Sequence, residues 1–162
     1  MKKSLRELCT AIAICFCATG NLFATDNQFN TDHTMDKNLN LTKEWDKVFP
    51  QSDKVSHSKV TFRNRYGITL AADMYKPKHA DGKLPAIAIS GPFGAVKEQS
   101  SGLYAQELAE RGFLTIAFDP SYTGESGGEP RYVASPDINT EDFCAAVDFL
   151  STCDDVDAEH IG

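Results

Sequence analysis

Residues 84–120 read LPAIAISGPFGAVKEQSSGLYAQELAERGFLTIAFDP, and their pattern decides the fold. The opening run, LPAIAIS at 84–90, is apolar without alternation, as in a strand buried on both faces. Gly91, Pro92, Phe93 and Gly94 break that strand. From about Ser101 onward, Ala105, Leu108, Ala109 and Gly112 recur at helical spacing, and Gly112 after Arg111 supplies the stop. A second apolar run, FLTIAF at 113–118, follows, and Asp119 opens the next loop. Strand, helix and strand in this order specify a right-handed crossover in a parallel sheet covered by helices.

Upstream, Val60 and Phe62 alternate with polar residues over 57–64, and 68–75 alternates again until Pro77 stops it. Arg65-Tyr66-Gly67 is the turn between them, so these segments form an antiparallel hairpin. Downstream, residues 120–136 are a loop rich in Gly, Pro and Ser. A second helix is expected with Asn139 or Thr140 as its cap and Glu141 and Asp142 in its first turn. Its apolar face reads Phe143, Ala146, Val147 and Leu150. A further strand is expected to start near Ile161. The expected fold class is α/β: an N-terminal β-hairpin followed by parallel β-α-β-α units, stopping in mid-fold.

The N-terminus follows a different logic. Lys2, Lys3 and Arg6 precede an apolar run from Leu8 to Phe16, with small residues at Ala18 to Gly20 and at Ala24. That is the layout of a secretory signal peptide, and the run is shorter than the ~20 residues that span a bilayer. Residues 1–24 are therefore read as an export signal, 25–41 as a flexible polar tether, and 42–162 as the folded part, anchored from about Trp45. The implied location is periplasmic or secreted, with no stable membrane span after signal removal. Removal after Ala24 leaves 13 Lys+Arg against 22 Asp+Glu. A chain so acidic, without a basic run, is a poor partner for nucleic acid. Cys144 and Cys153 remain. Nine residues of helix would separate their Cα atoms by ~13.5 Å, too far for a disulfide. Two free thiols are expected, at least one of them buried.

Two glycine-containing loops are chemical candidates. Gly91-Pro92-Phe93-Gly94-Ala95-Val96 leaves the first buried strand where open α/β sheets bind ligands. It fails the G-x-G-x-x-G and G-K-[ST] patterns, and Pro92 has no N–H for a phosphate. An oxyanion donor at the Phe93 N–H is one reading, and a tight turn around a buried Phe is the other. Gly124-Glu125-Ser126-Gly127-Gly128 matches G-x-S-x-G letter for letter. A nucleophile needs that motif on a strand-to-helix elbow, whereas Ser126 lies several residues past its strand. A scaffold loop is the better reading. The histidines at 33, 57, 79 and 160 show no paired zinc spacing, so neither metal nor cofactor is expected. Glu141-Asp142 and Asp154-Asp155 read as a helix start and a solvated loop.

The segments 64–73 (NRYGITLAAD), 91–99 (GPFGAVKEQ), 118–128 (FDPSYTGESGG) and 156–162 (VDAEHIG) together resemble the amino-terminal half of an α/β-hydrolase. The likeness is to the dienelactone-hydrolase-like branch and covers about residues 42–162. It implies an oxyanion-hole loop at Gly91 to Gly94 with Phe93 N–H as donor, a pocket lined by Gly91, Gly94 and Tyr122, and Ser126 as scaffold. It also implies that nucleophile, acid and histidine, in that order, come after the strand near Ile161. The expectation is therefore an N-terminal fragment of an exported hydrolase of ester-like small molecules, truncated before the nucleophile elbow and inactive alone. The alternative is a non-catalytic secreted binding domain derived from a hydrolase.

Overall fold

The computed structural model describes residues 39–162. The expected export signal and most of the tether lie outside the described residues. Five strands form one sheet: β1 (Val55–Arg63), β2 (Thr69–Pro77), β3 (Leu84–Ser90), β4 (Leu114–Phe118) and β5 (Val156–Ile161). Their spatial order is β1-β2-β4-β3-β5. Helix α1 (Ser100–Ala109) joins β3 to β4, and α2 (Pro136–Ser151) joins β4 to β5.

β1 and β2 form the expected antiparallel hairpin, from Val55 opposite Pro77 to Arg63 opposite Thr69. The Asn64 side chain shapes its turn, accepting from the N–H groups of Tyr66 and Ile68 at 3.0 Å each. β2 then runs antiparallel to β4, and β3 lies parallel to both β4 and β5.

Strand alternation sorts the side chains into two layers. Phe62, Leu70, Ala72, Ala86, Leu114, Ile116 and Phe118 pack with Ala145, Ala146 and Leu150 of α2. Val55, Tyr75 and Ala117 pack on the other face with Ala105 and Ala109 of α1 and with Phe49. Removing each large apolar side chain from water contributes about 1.5–3 kcal/mol. α1 approaches closely because its buried stripe is small, namely Ser101, Gly102, Ala105 and Ala109, joined by Gln106. A Cβ on Gly102 would lie 2.2 Å from the Lys97 carbonyl oxygen.

The C-terminal part differs from the sequence reading. α2 begins at Pro136, one turn before the expected cap, with Ser135 at the N-cap position. Proline suits that first turn because its missing N–H would have no partner there. The buried stripe of α2 is Glu141, Asp142, Ala145, Ala146 and Leu150. Phe143 and Val147, expected on the buried face, are 42% and 38% exposed, although Phe143 still meets Phe118 edge-on at 5.0 Å. β5 begins at Val156 rather than near Ile161, but its pairing is broken: Leu84 faces Val156 and Ala86 faces Ile161, three residues of β3 against six of β5. The extra residues bulge outward, held where Asp157 accepts from the Glu159 N–H and pairs with His160 at 2.8 Å. Cys144 is exposed and Cys153 half-buried, so neither thiol is fully buried as expected. Both are free.

Candidate active site

β3 and β4 end side by side, with Ser90 opposite Phe118. The two loops that follow, 91–99 and 119–135, therefore leave from the same edge of the sheet. This is the carboxyl end, where open α/β sheets place their ligands.

In the first loop, Ala95 N–H donates to the Pro92 carbonyl at 3.0 Å, closing a β-turn over Phe93 and Gly94. Gly94 has φ +84°, as the third position of a type II turn requires. Phe93 occupies the outer corner. Its ring is 82% exposed, so the buried-Phe reading of this turn is wrong. Its N–H has no hydrogen-bond partner among the described residues. Gly91 lies at the strand end, where a Cβ would come within 3.1 Å of Ala95.

Asp119, the first residue after β4, fixes this loop from behind. Its Oδ1 accepts from the Lys97 N–H at 2.8 Å, and its Oδ2 pairs with the Lys97 ammonium at 2.8 Å. Oδ2 also accepts from the Glu125 N–H at 2.9 Å. Gly124 makes that approach possible, since a Cβ there would lie 2.2 Å from Asp119 Oδ2. Lys97 is fully buried and also pairs with Glu125 at 2.7 Å and with Glu98. Burial disfavours its charge, but Asp119 and the hydrogen bonds that the ammonium donates to Glu125 and Glu98 outweigh it and raise the Lys97 pKa. Burial likewise pushes Glu125 up, yet hydrogen bonds from Lys59, Lys97 and the Thr42 N–H hold it down at about 2.

The charges continue away from the loops along the α1 face. Lys59 bridges Glu125, Asp46 and Glu98, and Lys47 pairs with Asp46 and, at 3.0 Å, with Asp73. Asp73 ends the chain by receiving His57 Nε2 at 2.7 Å, with the imidazole between Trp45 and Tyr75. Asp46, Glu98 and Glu125 come within metal-ligand reach of one another. Lys59 and Lys97 already supply cations among them, so the donor set is occupied by ammonium groups. His57 and Asp73 resemble the base-and-orienter half of a catalytic triad. Among the described residues, no serine or cysteine donates to that imidazole.

Ser126 is part of the scaffold. Its hydroxyl donates to the Asp119 carbonyl at 2.7 Å and accepts from the Ala71 N–H at 2.8 Å, and its side chain is buried. Both lone-pair and proton are engaged, which leaves no nucleophile. Tyr122 adopts φ +72°, held by its N–H to the Gly127 carbonyl and by Tyr132 N–H on its own carbonyl. Its ring covers Gly128, where a Cβ would lie 2.5 Å away. Tyr122 is half-buried in the second loop.

The sequence reading overlooked two sets of residues. One is the Lys97, Asp119, Glu125 cluster. The other is Asp142, which accepts from Asn64 Nδ2, Ser121 N–H and Ser121 Oγ, each at 2.8 Å. Glu141 beside it accepts from Arg65 N–H at 2.9 Å. The acidic pair read as a helix start is instead a clip between α2, the hairpin turn and the second loop.

Comparison with known proteins gives this geometry a context. The family model described as X-Pro dipeptidyl-peptidase (S15 family) matches residues 66–162. The uncharacterized protein PA2218 of Pseudomonas aeruginosa is 66% identical over 152 residues, covering 93% of this chain and 40% of that protein. Its crystal structure superposes with a TM-score of 0.75 at 74% identity, covering 76% of this chain and 39% of the other. A thiohydrolase of Aspergillus aculeatus is 33% identical over 111 residues, 68% of this chain and 34% of that enzyme. The α/β-hydrolase GrgF of a Penicillium species superposes at a TM-score of 0.60 with 26% identity, over 65% of this chain and 36% of its own. The chain thus spans about two-fifths or less of the length of these relatives.

Proposed function

The chain belongs to the X-Pro dipeptidyl-peptidase (S15) family, with an α/β-hydrolase fold, and from that premise we propose that it supplies the oxyanion-donor and scaffold portion of an exported hydrolase of small ester or thioester substrates. The observation that carries this reading is the Phe93 N–H, without a partner among the described residues, in a turn at the carboxyl edge of the parallel strands. Backbone N–H groups in such a position stabilise the negative charge that develops on an acyl oxygen. The thiohydrolase relative supports an acyl substrate, and the dienelactone-hydrolase-like resemblance points to a small ester. This reading assigns nucleophile, acid and histidine to the part of the relatives that this chain does not span, and it predicts no turnover by residues 1–162 alone. Gly91, Gly94 and Tyr122 line the substrate side of the donor.

The test is a chimera in which this chain replaces the matched region of PA2218, assayed with p-nitrophenyl acetate and an acetyl thioester. Hydrolysis is expected. Gly94→Val, which forces a β-branched residue into positive φ, should lower kcat by about 10²-fold with little effect on KM. A chimera that folds but hydrolyses neither substrate would overturn the reading.

Export is proposed on the charged, apolar and small-residue segments of the N-terminus. Among the described residues, no helix is long and apolar enough to cross a membrane. Protein recovered from envelope or medium should begin after Gly20 or Ala24. An intact Met1 there would contradict export.

A further inference from the structure

Strand register brings Lys59 of β1 close to the two loops. Lys59 lies opposite Asp73, Asp73 opposite Ala117, and Ala117 opposite Ile89. That row is one residue short of Phe118 and Ser90, where the loops leave the sheet. By alternation Val55, His57 and Lys59 share the α1 face. There the Lys59 ammonium meets Glu98 of the first loop at 3.6 Å, Glu125 of the second loop at 2.5 Å and Asp46 at 3.2 Å. Asp46 belongs to a segment, 42–49, whose main chain is fastened to the same loops. Thr42 N–H donates to Glu125 Oε1 at 2.7 Å, and Val48 N–H donates to the Glu98 carbonyl at 3.1 Å. The segment is itself anchored, with Phe49 in the α1-face core and Lys47 paired with Asp73. The Lys59 side chain is only 11% exposed, so salt screens its pairs little.

We propose that Lys59, with the segment 42–49 that it holds through Asp46, positions the oxyanion-donor turn: its ammonium fixes Glu98 and Glu125, and with them both loops, against the sheet. The turn closes at Ala95, two residues before Lys97, so the grip on Glu98 and Lys97 sets where the Phe93 N–H stands. Lys59 and the segment lie outside residues 66–162, so this support comes from beyond the region that the family model matches. A preorganised donor stabilises a developing oxyanion only while its place is held, and a displacement of about 1 Å costs rate. The effect on rate rests on the oxyanion-donor reading of Phe93, whereas the positioning of the loop does not.

The test uses the chimera with PA2218. Lys59→Met should lower kcat for p-nitrophenyl acetate by about 10-fold and leave KM within about twofold. Hydrogen exchange at the Ala95 amide, which closes the turn on the Pro92 carbonyl, should speed up by about 10-fold or more. Asp46→Asn removes one charge and little volume. It should move both readouts the same way by a smaller factor, and it decides the matter if Lys59→Met does not fold. Val55→Ala is the control for lost stability. It opens the α1-face core where β1 pairs with Pro77, at the opposite end of the sheet, and should change neither kcat nor Ala95 exchange. Unchanged kcat or unchanged Ala95 exchange in an active chimera carrying these variants would overturn the proposal, as would equal effects from Val55→Ala. In a chimera that folds but hydrolyses neither substrate, faster Ala95 exchange keeps the loop positioning and removes the hydrolase reading, while unchanged exchange overturns both.

Discussion

Lys97 holds a buried charge because three carboxylates and a main-chain contact surround it, and the loop that presents Phe93 depends on that grip. Lys97→Met would strand Asp119 without its cation and leave Glu125 with Lys59 alone. Breaking a buried pair in this way costs about 3–5 kcal/mol. In the chimera, urea unfolding should show a loss of that size, whereas Phe93→Ala, at an exposed corner, should change stability by less than about 0.5 kcal/mol. The same cluster sets an acid limit. Glu125 titrates at about 2 in the fold against its usual 4.5, so its contribution is complete above about pH 4.5 and is lost as pH falls toward 2. Lys59 and Lys97 are both raised, so their contribution is complete below pH 10.5 and is lost as pH rises through their raised values. Thermal midpoints of the chimera against pH should fall between 4.5 and 2, and Glu125→Gln should flatten that limb. An unchanged limb would remove Glu125 from the account. At this scale the sequence was legible where a motif carries its own context. Ser126 read as scaffold because it lies past the strand, and its two hydrogen bonds bear that out. Lys97 was not legible: one lysine in a loop has no pattern, and its partner Asp119 lies 22 residues away.

Asp142 shows how elements are tied together rather than merely stacked. One carboxylate on α2 satisfies the Ser121 main chain and hydroxyl and the Asn64 amide, joining helix, second loop and hairpin turn. Asp142→Leu leaves those buried donors without partners, at about 1–3 kcal/mol each. The chimera should lose roughly 3 kcal/mol or more in denaturant unfolding, and Asp142→Asn, which keeps one acceptor, should lose less. Equal losses for the two variants would contradict the clip. Strands β1 to β4 and helix α1 were readable because alternation and uninterrupted apolar runs report burial directly. The start of α2 was not, since residues 136–140 carry no apolar period and Pro136 looks like a stop when it is a first-turn residue. The α2 face was misread by one position, because Phe143 and Val147 keep helical spacing with Leu150 while Asp142 and Ala145 take the buried side. The bulge in β5 has no sequence signal that the alternation rule could use.

For the whole molecule, two cores cover the faces of the sheet, while Phe143 and Val147 on α2 stand partly exposed. Leu150, from the same apolar face, is fully covered. A domain's net stability is only about 5–15 kcal/mol, so apolar side chains left exposed, such as Phe143 and Val147, weigh on its behaviour. Urea unfolding of the 162-residue chain by itself should be broad or accompanied by association. A sharp two-state transition in a monomer would favour the binding-domain alternative. The α/β class was legible in the sequence because β-α-β order constrains topology so strongly, while the active site was legible only as a turn and a likeness. The most direct measurement is therefore the hydrolysis of p-nitrophenyl acetate by the purified chain alone, beside its Ser126→Ala variant and the chimera. The account predicts the buffer rate for both forms of the chain and turnover for the chimera. Turnover by the chain alone, abolished by Ser126→Ala, would contradict it.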